Sequence, residues 1–273
     1  MKLPVKMTSG SVNVSGIRLL LYGPPKIGKA ALASGFPDSI FAATEKGYKA
    51  LKVYKKDIET WEDFVDFVDT VVAKEHMFKT VIVDTADQLF DKCSMAVCED
   101  LGVEHESEAE WGRGWSEVKK VFTRVINKLL QSDLGVIFIS HTKGDKITTQ
   151  VQDITKTVPT LSNQARRILL PLVDTIGCMQ YKNYRSKKDP TEFIERLVIN
   201  FKPSEYVEAG DRTGLLPPQL KLISIPEDTR RTPEVVEEYA KKNYEIFASY
   251  YSKGGEKEKV EKAEAPVKKQ KKK

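Results

Sequence analysis

Eight consecutive residues constrain this chain more than any other stretch: Gly23-Pro24-Pro25-Lys26-Ile27-Gly28-Lys29-Ala30. An apolar run, residues 17–22, precedes them and Ala31-Leu32-Ala33 follows, so a glycine loop stands between an expected strand and an expected helix. That context is what a phosphate-binding loop needs. Its backbone N–H groups converge on phosphate oxygens, and Gly23 and Gly28 permit the close approach and the unusual φ values. Lys29 then reaches the β- and γ-phosphates as a point charge, and Ala31 completes the cradle on the helix.

One position departs from the pattern. Where the motif has Ser or Thr to ligate Mg²⁺, this chain has Ala30, and Ala31 offers no hydroxyl either. Phosphate binding survives that change, whereas the ordinary metal shell loses one ligand. A nucleotide is the expected ligand, and hydrolysis is a separate question.

The chain has 273 residues, enough for one α/β core with elaborations. Its formal charge is +5, from 44 basic and 39 acidic residues, and the nine Lys and four Glu of residues 253–273 account for all of it. The remainder is neutral overall, so bulk charge says little about nucleic acid. Within it, however, residues 84–117 hold ten acids and two bases, and residues 141–188 hold nine bases and three acids. The basic stretch can face an anionic partner or simply be a solvated surface. Cys93, Cys98 and Cys178 have no metal-ligand spacing and are an odd number for a disulfide framework, so they read as reduced and mostly buried. No apolar span approaches about 18 residues and the N-terminus is not signal-like, which gives an expectation of a soluble, cytoplasmic protein outside the membrane.

In chain order, residues 1–15 read as a flexible arm. Residues 17–22 and 39–43 are near-continuous apolar runs, as for parallel strands covered on both faces. Between them the helix must be brief, because Gly35 and Pro37 punctuate it. Residues 61–74 have helical apolar spacing with Thr60 as cap. Thr80-Val81-Ile82-Val83-Asp84 is a buried strand ending in an acid, the form of a second nucleotide-binding motif whose aspartate holds Mg²⁺, often through water. Helices are expected over 87–100 and 115–131, with an acidic surface loop between. Trp111 and Trp115 are read as core anchors in preference to base-stacking platforms. Residues 135–141 form a fourth buried strand, ending in His141.

Beyond His141, residues 142–160 read as a mobile loop or a hairpin, and residues 162–172 as a helix. Residues 174–181 and 192–201 look like two strands joined by a basic connection, residues 182–189, containing Tyr184, Arg185 and Lys187. Residues 210–214 are a turn. A C-terminal helix opens at Thr232-Pro233, and the Lys-rich tail, residues 253–273, lacks apolar periodicity and should be disordered.

In an open parallel sheet the ligand sits at the carboxyl ends of the strands. Glu45, Asp84 and His141 each stand at such an end, so two carboxylates and an imidazole should gather around the nucleotide.

With these motifs placed, the chain resembles the phage nucleotide-binding proteins, RecA-like P-loop ATPases that include single-strand annealing recombinases encoded beside phage single-strand-binding proteins. The resemblance covers residues 16–220. It is carried chiefly by the 23–29 loop, Ala43-Thr44-Glu45-Lys46-Gly47 and Ile139-Ser140-His141. It implies an α/β fold: a RecA-like P-loop core over 16–220 with a mainly parallel central sheet, a C-terminal β-hairpin elaboration, and an extension over 221–252 ending in a helix. It implies ATP and Mg²⁺ as cofactors. Lys29 resembles the phosphate lysine, Asp84 the acid of the magnesium shell, Glu45 the glutamate that activates water and His141 the sensor of the γ-phosphate. Arg185 and Lys187 resemble hairpin residues that act across a subunit interface or on DNA. The implied partners are single-stranded DNA, a phage single-strand-binding protein and further copies of the chain in a ring or filament, in the host cytoplasm.

Three functions fit these residues. The first is an ATP-dependent recombination or annealing protein assembling on single-stranded DNA. The second is a nucleotide-gated DNA-binding module with little ATPase activity, motivated by Ala30. The third is a P-loop kinase acting on a small acceptor, with the basic 141–188 segment as its lid.

Overall fold

The computed structural model describes residues 14–73, 75–148, 153–186 and 191–252. Expectations for the N-terminal arm before residue 14, for Lys187 and for the tail after residue 252 fall outside these residues.

In chain order the elements are β1 (Arg18–Tyr22), α1 (Lys29–Ser34), β2 (Ser39–Ala43), β3 (Tyr54–Asp57), α2 (Trp61–Val72), β4 (Thr80–Asp84), α3 (Ala86–Leu101), α4 (Arg113–Leu130), β5 (Gly135–Ser140), β6 (Thr142–Thr148), β7 (Asp153–Pro159), α5 (Asn163–Leu172), β8 (Thr175–Arg185), β9 (Phe193–Asn200), β10 (Gly210–Asp211), β11 (Gln219–Lys221) and α6 (Pro233–Ser252). The main sheet runs β11-β9-β8-β1-β5-β4-β2-β3, with β10 pairing β8. From β8 to β3 every pairing on that path is parallel, whereas β9, β10 and β11 are antiparallel additions. The mainly parallel sheet with a C-terminal hairpin and helix is thus present as the sequence implied. Strand β5 lies between the strand that leads into the glycine loop and the strand that ends in Asp84.

The apolar runs of β1, β4 and β5 are continuous because each strand feeds two cores. Leu20, Val81, Val83, Val136 and Phe138 point into the cluster shared with α2, α3, α4 and α5. Their neighbours Leu19, Leu21, Ile82, Ile137 and Ile139 point into the opposite cluster, which α1 and α6 cover. Period-two alternation between two buried faces requires this composition.

Local chemistry explains the helix ends. Thr60 and Asp63 exchange side-chain-to-backbone bonds in a capping box at the start of α2. Helix α1 stops after six residues at Gly35, where an added Cβ would lie 2.3 Å from the Ala240 carbonyl oxygen of α6. That contact, with Phe36 packed edge-on against Tyr244, holds α6 on α1. All three cysteines are buried and free.

Several local expectations are corrected. Strand β3 was not legible, because Tyr-Lys-Lys-Asp is exposed at every position and lies at the sheet edge. Of the two alternatives for residues 142–160 the hairpin holds, with β6 and β7 paired antiparallel. Strand β8 runs through Lys182–Arg185, where the sequence suggests a connecting tip, with Tyr184 hydrogen-bonded to Gln219. Gly210 and Asp211, read as a turn, pair with β8 instead. Trp111 is fully exposed and Trp115 is 42% exposed, so neither anchors the core; the amphipathic face of α4 starts beyond them, at Val118.

Candidate functional site

The glycine loop joins β1 to α1 at the carboxyl edge of the sheet. At Gly23 an added Cβ would stand 2.4 Å from the Met179 carbonyl oxygen, so glycine lets the loop pass close against β8. Gly28 takes φ 101°, a left-handed conformation that glycine adopts without strain, and turns the chain into α1. Pro24 and Pro25 stiffen the entry, and Lys26 is also left-handed at φ 63°. Ile27 is buried in the core under the loop, with Ala30 packed against that core. The N–H groups of Gly28, Lys29 and Ala30 have no acceptor among the described residues, which leaves them available to an anion.

Lys29 is 5% exposed, and its Nζ donates to the carbonyl oxygens of Gly23 at 2.8 Å and Pro24 at 2.9 Å. Burial holds its pKa below the ordinary lysine value, with Asp84, Glu45 and Asp87 opposing that shift. Nζ also lies 3.3 Å from Nδ1 of His141. An ammonium can only donate, so Nδ1 is the acceptor and Nε2 carries the imidazole proton. Nε2 is 3.3 Å from Oε1 of Glu45 and donates to it. Thr85 Oγ1 and Gln88 Nε2, each 3.2 Å away, donate to the same oxygen. Oε2 of Glu45 has no hydrogen-bond partner among the described residues. The structure therefore brings Lys29, His141 and Glu45 into one chain of contacts.

Asp84 closes the group. It is buried, which pushes its carboxyl above the usual carboxylate range, while the Tyr48 hydroxyl donates to Oδ2 at 2.8 Å and opposes that shift. Thr44 fixes the turn after it: its N–H donates to the Asp84 carbonyl, and its Oγ1 accepts from Thr85 N at 2.8 Å. Asp87, at the start of α3, accepts from Ser140 Oγ at 2.8 Å and from His141 N at 3.3 Å, which sets the end of β5. Burial raises its pKa as well.

A cleft of about 1040 Å³ is lined by residues 25–32, Glu45, Tyr48, Asp84 and His141, and also by residues 222–227 and by Tyr239 and Asn243 of α6. The unpartnered loop amides, the buried lysine and the cleft fit a nucleotide polyphosphate. Among the described residues no cluster of three His, Cys, Asp or Glu is arranged to hold a metal by itself. A lone aspartate beside phosphate oxygens and water is nonetheless a common Mg²⁺ environment. Thr85, next to Asp84, carries a hydroxyl, and its proton is committed to Glu45. Arg185 ends β8 opposite Phe193 and does not line the cleft.

Tyr48, Asp87, Thr44 and Gln88 were not singled out from the sequence. Asp87 had a usable signal, an acid at a helix start three residues after Asp84. Tyr48 had none, since its partner is 36 residues away.

Among curated proteins, the SPbeta prophage-derived uncharacterized protein YorG of Bacillus subtilis (strain 168) is 27% identical over 174 residues, which is 62% of this chain and 51% of that protein. The chain spans about half the length of that relative. Among the described residues no helix is long and apolar enough to cross a membrane. A family described as AAA domain matches residues 15–213, a stretch that includes the glycine loop, Glu45, Asp84 and His141 and exceeds half of the sequence. The chain therefore belongs to the AAA domain family of P-loop ATPases.

Proposed function

We propose that this protein binds ATP with Mg²⁺ in the cleft, hydrolyses it, and uses the nucleotide to assemble as an oligomer on single-stranded DNA in phage recombination or strand annealing. The convergence of Lys29, Asp84, Glu45 and His141 at neighbouring strand ends carries the hydrolytic half of this reading. The sequence resemblance supports the DNA half, as does a relative whose name places it in a prophage.

Lys29 and the loop amides hold the phosphates, and Asp84 holds the metal shell. Bound Mg²⁺ neutralises charge on the phosphoryl oxygens. Glu45 orients and deprotonates the attacking water through the unpartnered Oε2. His141, joined to both Lys29 and Glu45, transmits the state of the site to the β6–β7 hairpin that begins one residue later. Arg185, which does not line the cleft, acts together with Lys187 on DNA or on a neighbouring subunit.

Ala30 favours a second reading, a nucleotide-gated DNA-binding module that turns over little ATP. Binding of a labelled single-stranded oligonucleotide, measured with and without ATP, tests the DNA assignment common to both. ATP-dependent assembly on the oligonucleotide is expected. Indifference to the oligonucleotide would point to a kinase with a small acceptor instead.

A further inference from the structure

The lining of the cleft extends beyond the residues of a phosphate cradle. Besides Lys29, Asp84, Ala30 and Ala31, its lining includes a wall built by residues 222–227 with Tyr239 and Asn243 of α6. The AAA match ends at residue 213, so this wall belongs to the part of the chain beyond the family domain.

The wall is built as a fixed ledge. Leu222 is buried, and its N–H donates to the Leu197 carbonyl at 2.9 Å. Asn243 is 7% exposed and clamps the next residue on both sides, accepting from Ile223 N at 2.8 Å and donating to the Ile223 carbonyl at 3.0 Å. Tyr239 lies one helical turn before Asn243, hence on the same face of α6. Ile223 is 43% exposed although its backbone is locked. After it, the N–H and C=O groups of Ser224 and Ile225 have no partner among the described residues. An apolar surface beside a row of unused main-chain donors and acceptors suits a flat heterocycle with polar edges. The phosphate loop lines the same cleft.

We infer that residues 222–227 and Tyr239 form the nucleobase subsite: the ring packs on Ile223 and Tyr239, and its polar edge bonds to the main chain of Ser224 and Ile225. This rests on the reading that the glycine loop holds the phosphates of a nucleotide. In this arrangement the segment beyond the family domain sets base affinity, and the glycine loop sets phosphate affinity.

The test is calorimetric binding of ATP and of inorganic tripolyphosphate, each with Mg²⁺, to the full chain and to its Tyr239→Ala and Ile223→Ala variants. Loss of a stacked base contact is expected to weaken ATP about tenfold in each variant. Tripolyphosphate affinity should stay unchanged, which also shows that the variants fold. Unchanged ATP affinity in both variants overturns the subsite while leaving the phosphate loop assignment standing. An equal fall for both ligands also overturns it, since the ledge would then act on phosphates or on folding. A wild-type chain that binds neither ligand defeats the underlying phosphate reading, and the subsite with it.

Discussion

The ammonium of Lys29 stands 3.3 Å from Nδ1 of His141. The residue expected to grip phosphate and the residue expected to sense it are therefore in direct contact, and the far nitrogen of the same ring reaches Glu45. Removing the imidazole breaks that chain without removing the phosphate loop. His141→Ala is expected to keep ATP affinity within about threefold and to lower turnover by about 100-fold, the scale for loss of one preorganised polar group. Binding and steady-state phosphate release, measured on the same preparation, separate the two effects. Undiminished turnover would remove His141 from the mechanism.

Asp84 gives a prediction in pH. Burial raises its pKa above the ordinary 3.8, so the folded protein holds this proton more tightly than the unfolded chain. Its contribution to stability is then present below about 3.8 and is lost as pH rises through the folded value. Asp84→Asn should stabilise the protein by roughly 0.5–2 kcal/mol at pH 7.5, and the gain should shrink as the pH is lowered toward 3.8. Denaturant titrations at both ends of that range check this, and a gain independent of pH contradicts it.

Ala30 gives a prediction in metal dependence. Ala30→Ser restores a hydroxyl where phosphate-loop proteins present one to Mg²⁺. Turnover should rise several-fold and saturate at lower Mg²⁺ if the missing ligand limits hydrolysis. An unchanged Mg²⁺ titration would mean that water or Thr85 already fills the position.

Gly23 gives a prediction in stability. A methyl group there meets the Met179 carbonyl at 2.4 Å, whereas one at Gly47 meets nothing within 4 Å. Gly23→Ala should cost roughly 1–3 kcal/mol through forced separation of β1 from β8, a fall in Tm of about 2–4 °C per kcal/mol. Gly47→Ala serves as the neutral control in the same thermal melts. Equal melting of the two variants would show that the loop can move away from β8.

The sheet was legible because each central strand is buried on both faces and therefore apolar throughout, as in β1, β4 and β5. The gathering of Glu45, Asp84 and His141 was legible for a related reason: Asp84 and His141 interrupt such runs at their polar ends, and Glu45 follows one closely. Tyr48 was not, because its role comes from a pairing across the fold; Asp87 stands at a helix start, but its bonds to Ser140 and His141 span more than 50 residues. Strand β3 escaped because a polar edge strand has no alternation to betray it. Trp111 misled for the opposite reason, being a large aromatic residue that remains fully exposed. The ledge that shares the cleft with the phosphate loop was also hidden. It depends on Asn243 clamping a residue 20 positions earlier, in a segment that reads only as rich in proline and charge.

The most direct test of the central assignment is Mg²⁺-dependent phosphate release from ATP by the wild-type chain, Lys29→Ala and Glu45→Gln, each with and without single-stranded DNA. The account predicts turnover in the wild type that rises with DNA. It predicts loss of both binding and turnover in Lys29→Ala, and loss of turnover with retained ATP binding in Glu45→Gln. Wild-type turnover that persists in Glu45→Gln would contradict the assignment of Glu45 as the base that activates water.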